Sequence, residues 1–218
     1  MKVGIGLRRI VATVPDLVTM GVFALAWIDP RRFGLGLVVS LMVVMLLEFI
    51  VMHAGVVIGT VTHSRALDRQ EKTRRIGGFG LLYGLFAVAW AVAFRQPWVV
   101  PSFAWLLLGK VAAVWLFPVP AAAEVLRQQR IWGYSAMAYL GGVGLTLFLP
   151  LPLLGMQPDV VDALNLPGSG AWIDEPHRVL AFGVVYFAAQ AAIDWFVASR
   201  PATEALAPGE ASVGAPRL

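Results

Sequence analysis

The sequence contains no cysteine. That excludes disulfides, thiolate metal sites, cysteine nucleophiles and haem attached through thioethers. Charge is scarce too: Asp, Glu, Lys and Arg make up 14% of the chain, against about 25% in a soluble domain. Histidine occurs three times, at His53, His63 and His177. Bis-histidine haem needs two of these at one depth, and their positions do not offer that. Glu48, Met52 and His53 do not converge on one helix face, so no metal site is expected, and no cofactor is expected either. The chain has no HExxH, no GxxxxGK[ST], no GxGxxG and no GxSxG, and so none of the metalloprotease, phosphate-loop, dinucleotide or nucleophile-elbow signatures. Gly168-Ser169-Gly170 reads as a turn, because a serine nucleophile needs a base and oxyanion donors beside it.

What the chain has is apolar surface. Of its 218 residues 59% are hydrophobic, and the mean hydropathy is +0.76. One water-soluble core of this size cannot hide that much. A bilayer can, provided the backbone pairs within helices or a closed barrel. The apolar stretches are about 20 residues long, the length of a membrane-spanning helix and twice that of a barrel strand. The expected fold is therefore all-α, a polytopic bundle of six transmembrane helices occupying residues 1–200. The spans fall near 10–28, 34–61, 77–94, 98–118, 132–154 and 178–198. Residues 65–75 read as a charged connector, 119–131 as a short amphipathic helix and 155–177 as the longest, acidic loop. Residues 201–218, rich in Ala, Pro, Gly and Glu, read as a disordered tail. At the N-terminus, Lys2, Arg8 and Arg9 precede an apolar run, and Ala24-Leu25-Ala26 resembles a cleavage site. Pro15 and Asp16 interrupt that run and favour a retained span over a signal peptide.

The net charge of +4 does not point to nucleic acid, because the basic residues sit between apolar runs, where they set orientation. With six spans, one side receives Lys2, Arg8, Arg9, Arg65, Arg69, Lys72, Arg74, Arg75, Arg127, Arg130, Arg200 and Arg217. The other receives Arg31, Arg32, Arg95 and Arg178. That asymmetry places both termini in the cytoplasm of an inner membrane. Trp27, Trp98, Trp115, Trp132, Trp172 and Trp195 lie near span ends, as an interfacial belt requires.

Helices in lipid pack through small residues. Gly55 and Gly59 form such a pair on the second span, Gly80 and Gly84 on the third, and Ala188 and Ala192 on the sixth. These grooves would serve a homo-oligomer or a larger membrane complex. Polar residues share helix stripes with some of them. Glu48 lies on one stripe with Met45, Met52, Gly55 and Gly59, and Tyr186, Gln190 and Asp194 lie on another. A charge at mid-bilayer costs at least about 2.5–3.5 kcal/mol, so Glu48 and Lys110 each need a partner or water. Glu48, Lys110 and Gln190 are all roughly 18–21 Å from the outer span ends. The expectation is that they meet at one level, with Glu48 paired to Lys110 or Gln190 and His53 further in.

Three function classes fit these residues. A small-solute or proton-coupled permeation protein would use a polar level around Glu48, with a cavity opening to water. A non-catalytic membrane subunit or assembly factor needs only helix surfaces. A membrane enzyme acting on a lipid or quinone would use Glu48 or His53 as acid or base, beside a lateral opening, and no recognisable catalytic set supports it.

Overall fold

The structure, a computed structural model, describes residues 2–198. Helices occupy Lys2–Ile28 (α1), Leu35–His63 (α2), Arg69–Ala93 (α3), Val99–Leu116 (α4), Ala122–Phe148 (α5), Pro158–Leu164 (α6), Ala171–Asp174 (α7) and Pro176–Ile193 (α8), and a π-helical turn follows at Asp194–Ala198. Six of these helices are long and apolar enough to cross a membrane. The protein is an all-α membrane bundle of six spanning helices. The tail at 201–218 lies outside the described residues.

Two elements differ from the sequence expectation, each for a local reason. The connector at 65–75 is short, because Asp68 caps α3: its Oδ1 accepts from the Glu71 backbone N–H at 2.7 Å. The charged residues after it are therefore the first turns of α3. The short helix expected at 119–131 is not separate. Nothing in the chain breaks the helix between Arg130 and Gly133, and α5 runs unbroken from Ala122. Glu124 and Arg127 pair on its first turns at 2.6 Å. At about 1.5 Å per residue, α5 is longer than the bilayer core is thick, so this end projects beyond it.

α2 is the axis of the bundle and touches all five other spanning helices. On one side, α1 and α5 both pack against α8; on the other, α3 and α4 form a hairpin. The first side is filled by Phe23, Met42, Met45, Tyr139, Phe182 and Tyr186. The second has two smaller cores, around Val43 and Ala87 at one end of α2 and around Ile58 and Ile76 at the other.

The segment 155–177 folds back onto the bundle. Met156 is fully buried, and Trp172 packs on Phe182 at 5.6 Å between ring centroids. Gly155 lies so close to the Ile28 carbonyl and Pro30 that a Cβ would overlap both. Its N–H donates to the Trp27 carbonyl at 3.1 Å, while the Trp27 indole donates to the Pro152 carbonyl at 3.1 Å. Arg31 and Asp159 form an exposed ion pair across the same end at 2.6 Å.

Two cations tie off helix C-termini, whose last carbonyls otherwise lack partners. Arg178 Nη1 donates to the carbonyls of Thr146, Leu147 and Leu149 at 2.7, 3.2 and 3.2 Å, closing α5. Its Nε donates to the Glu175 carboxylate. That hydrogen bond holds the Glu175 carboxyl below the usual carboxylate range. At the opposite end, buried Lys72 donates from Nζ to the Thr62 carbonyl at 2.9 Å and closes α2.

Candidate polar site between α1, α2 and α8

The interface between α1 and α8 is apolar toward the end carrying the 155–177 segment and polar toward the other. The apolar half is closed by Phe23, whose ring sits where a Cβ on Gly183 would be. Phe23 also meets Phe187 at 5.5 Å between centroids. Below that plug, α1 presents Arg9, Thr13 and Asp16 at helical spacing, and α8 with the π-helical turn after it presents Tyr186, Gln190 and Asp194, each one turn apart. The two helices run antiparallel, so the two stripes face each other. The guanidinium of Arg9 lies over the Trp195 ring at 5.8 Å and closes the far end of the seam.

Glu48 of α2 stands at the top of this seam. Its Oε2 accepts a hydrogen bond from the Tyr186 hydroxyl at 3.1 Å. Tyr139 of α5 packs edge-on against Tyr186 at 5.4 Å and donates its own hydroxyl to the Met45 carbonyl at 2.9 Å. Asp16 and Asp194 lie below Glu48 on the two facing stripes, both half-buried. Three polar atoms in the seam are buried without a hydrogen-bond partner among the described residues: Arg9 Nε, Thr13 Oγ1 and Gln190 Oε1. Buried polar groups are nearly always satisfied by protein or by water, so these atoms mark the seam as the polar part of the interface. Asp194 opens the π-helical turn, a local widening that frees backbone groups beside it.

The structure corrects the expected meeting of Glu48 with Lys110. Lys110 lies on the exposed face of α4, and α4 packs on α3 and α2 rather than on α8. A shared depth did not bring the two residues together, because depth fixes only one of three coordinates. Gln190 does lie in the seam, but Tyr186, one turn away, takes the hydrogen bond to Glu48. Tyr139 and Arg9 are members of this constellation that sequence reasoning missed. Tyr139 shares its stripe on α5 only with the uncharged Ser135 and Thr146, and Arg9 reads as an ordinary orientation-setting residue.

His53 points away from the seam, exposed between α2 and α3, with Phe49 at 5.5 Å and Tyr83 at 6.3 Å between ring centroids. Among the described residues no group of three His, Cys, Asp or Glu side chains is placed to hold a metal. The glycine pairs divide. Gly80 and Gly84 receive Leu107 and Phe103 of α4, and a Cβ on Gly80 would overlap Leu107. Gly55 meets the Trp132 indole of α5, which donates to the Met52 carbonyl at 3.0 Å, while Gly59 has open space. Ala188 and Ala192 are exposed. A separate open cavity of about 390 Å³ lies beside the middle of the 155–177 segment, lined by Val39, Phe94, Gln96 and Leu164 among others. It does not reach Glu48.

The fold defines a polytopic α-helical membrane protein with six long apolar helices and a polar seam between α1, α2 and α8. No family model, no curated protein and no solved structure matches the chain.

Proposed function

We propose that this is a multi-pass inner-membrane permeation protein that takes up a proton at Glu48, alone or coupled to a small polar solute, from the side bearing its basic connectors. The observation that carries the reading is the seam itself. A carboxyl sits among apolar and aromatic side chains with a tyrosine hydroxyl as its one hydrogen-bond partner among the described residues, at the end of a polar strip that is sealed beyond it by Phe23 and Phe187. A carboxyl in such a place can shed its charge by taking up a proton. A polar strip on one side of Glu48 and an aromatic seal on the other support such a reading. The basic residues at the mouth of the seam orient that side toward the cytoplasm.

The test is proton movement into vesicles holding the purified chain and an internal pH dye. A potassium–valinomycin potential drives it, with and without a panel of small polar solutes. The full chain should acidify the lumen several-fold faster than empty vesicles, and Glu48→Gln should return the rate to the empty-vesicle level. A wild-type rate equal to that of empty vesicles under every condition, or a Glu48→Gln rate equal to wild type, overturns the reading.

A further inference from the structure

We propose that the cavity beside α6 binds the phosphate of an anionic phospholipid, with Arg95 and Gln96 holding the headgroup. The cavity lies where the turn joining α3 to α4 meets the chain just after α6. That turn ends one span and begins the next, so it stands at the level of the lipid headgroups. The volume of about 390 Å³ falls within the roughly 300–1,000 Å³ of small-ligand sites. The lining is amphipathic. Phe94, Leu164 and Leu166 are apolar and sheltered, while Arg95 and Asn165 are polar and exposed. A molecule with a charged head and an apolar tail matches both parts.

The two polar groups on the α3–α4 turn are donors. Gln96 Oε1 accepts from the Trp98 indole at 2.6 Å and from the Ser40 hydroxyl at 3.2 Å. Those bonds fix the amide and leave its NH2 without a partner among the described residues. Arg95 joins no ion pair among the described residues, and among them no carboxylate lines the cavity. Three acids of the neighbouring segment are engaged elsewhere: Asp159 with Arg31, Asp174 with the Gly170 N–H and Glu175 with Arg178. A guanidinium beside an amide NH2 suits phosphate oxygens. With no acid to meet the cation of a zwitterionic headgroup, the cavity favours a headgroup of net negative charge. The backbone adds a second argument. Arg95 and Asn165 both take left-handed conformations, at φ 53° and 47°. Asparagine tolerates this, but after a helix such as α3 glycine is the usual residue. An arginine set there against the backbone preference points to use of its side chain.

The experiment reconstitutes the full chain in phosphatidylcholine vesicles doped with phosphatidylglycerol that carries a diazirine near the top of one acyl chain. After irradiation the labelled peptides are mapped. The expected label concentrates on residues 93–96 and 164–167. The same dose of phosphatidylcholine bearing the diazirine should label these segments far less, a comparison that needs no variant. Arg95→Gly should lower the phosphatidylglycerol label there by about tenfold, as loss of a hydrogen bond to a charged group would, while Arg95→Lys should keep most of it. Glycine suits this backbone better than arginine, so Arg95→Gly should melt no lower than wild type, and a lost label is then not a fold defect. Label spread evenly over the spans, equal labelling by the two lipids, or a label indifferent to Arg95→Gly each overturns the proposal. Loss of the label on adding excess glycerol phosphate would assign the cavity to a soluble phosphate and overturn the lipid.

Discussion

The Tyr186 hydroxyl donates to the Glu48 carboxylate at 3.1 Å, joining α8 to the central helix α2 at the top of the polar seam. Tyr186 is itself almost wholly buried. The contact is therefore both a link between helices and the end point of the polar strip.

Tyr186→Phe removes the donor and keeps the ring. The expected loss is about 0.5–1.5 kcal/mol, the usual net value of one hydrogen bond, read from unfolding in mixed micelles. Glu48→Gln keeps a side chain of the same shape that can still accept from Tyr186, so it should unfold within about 1 kcal/mol of wild type. A loss several times larger for Glu48→Gln would show that its charge, rather than its hydrogen bond, holds the helices.

The glycines of the bundle should separate sharply. Gly183→Ala places a methyl into the Phe23 ring, and Gly142→Ala brings one to 2.8 Å from Phe182. Overpacking of this kind costs about 1–3 kcal/mol. Gly59 has nothing within 4 Å, so Gly59→Ala should be neutral within about 0.5 kcal/mol. Adding Phe23→Leu to Gly183→Ala should recover part of the loss. Thermal melts of the three single variants and the double variant check the ordering.

Arg178→Met leaves three carbonyls at the end of α5 without their shared donor. Hydrogen bonds to a charged group contribute about 1.5–3 kcal/mol, and a loss of that size is expected. The Glu175 partner adds a pH dependence. Its carboxyl is held below the usual range by the Arg178 hydrogen bond. A depressed carboxyl stabilises the folded state above its unfolded pKa, and that contribution fades as pH falls through the folded value. The difference between wild type and Glu175→Gln should therefore be present at neutral pH and vanish in acid below the ordinary carboxylate range. A constant difference across that range would refute the coupling.

Topology is checked by reporters inserted after Ala66, between α2 and α3, and after Gly155, between α5 and α6. The basic-residue asymmetry expects the first on the cytoplasmic side and the second on the opposite side. Both on one side would overturn the orientation proposed for the seam.

The sequence by itself determined that there are six spans and roughly where they lie, because hydropathy over about 20 residues is a local property that lipid reads directly. It also determined that Glu48 turns inward, since its helix stripe is shared with Met45, which is fully buried. It could not say which helices touch. Small-residue pairs mark surfaces that can pack without naming the partner: Gly80 found Leu107, while Gly59, on an equally suggestive stripe, found open space. Depth along a span was legible and azimuth between spans was not. For that reason Glu48 and Lys110, set at one level by arithmetic, stand on different sides of the bundle. The tertiary structure alone decided that α1 lies along α8, which turns Arg9, Thr13, Asp16, Tyr186, Gln190 and Asp194 from six scattered polar residues into one seam. Helix pairing is chosen by side-chain interlock between segments far apart in the chain, and no window along the sequence contains both halves of that fit.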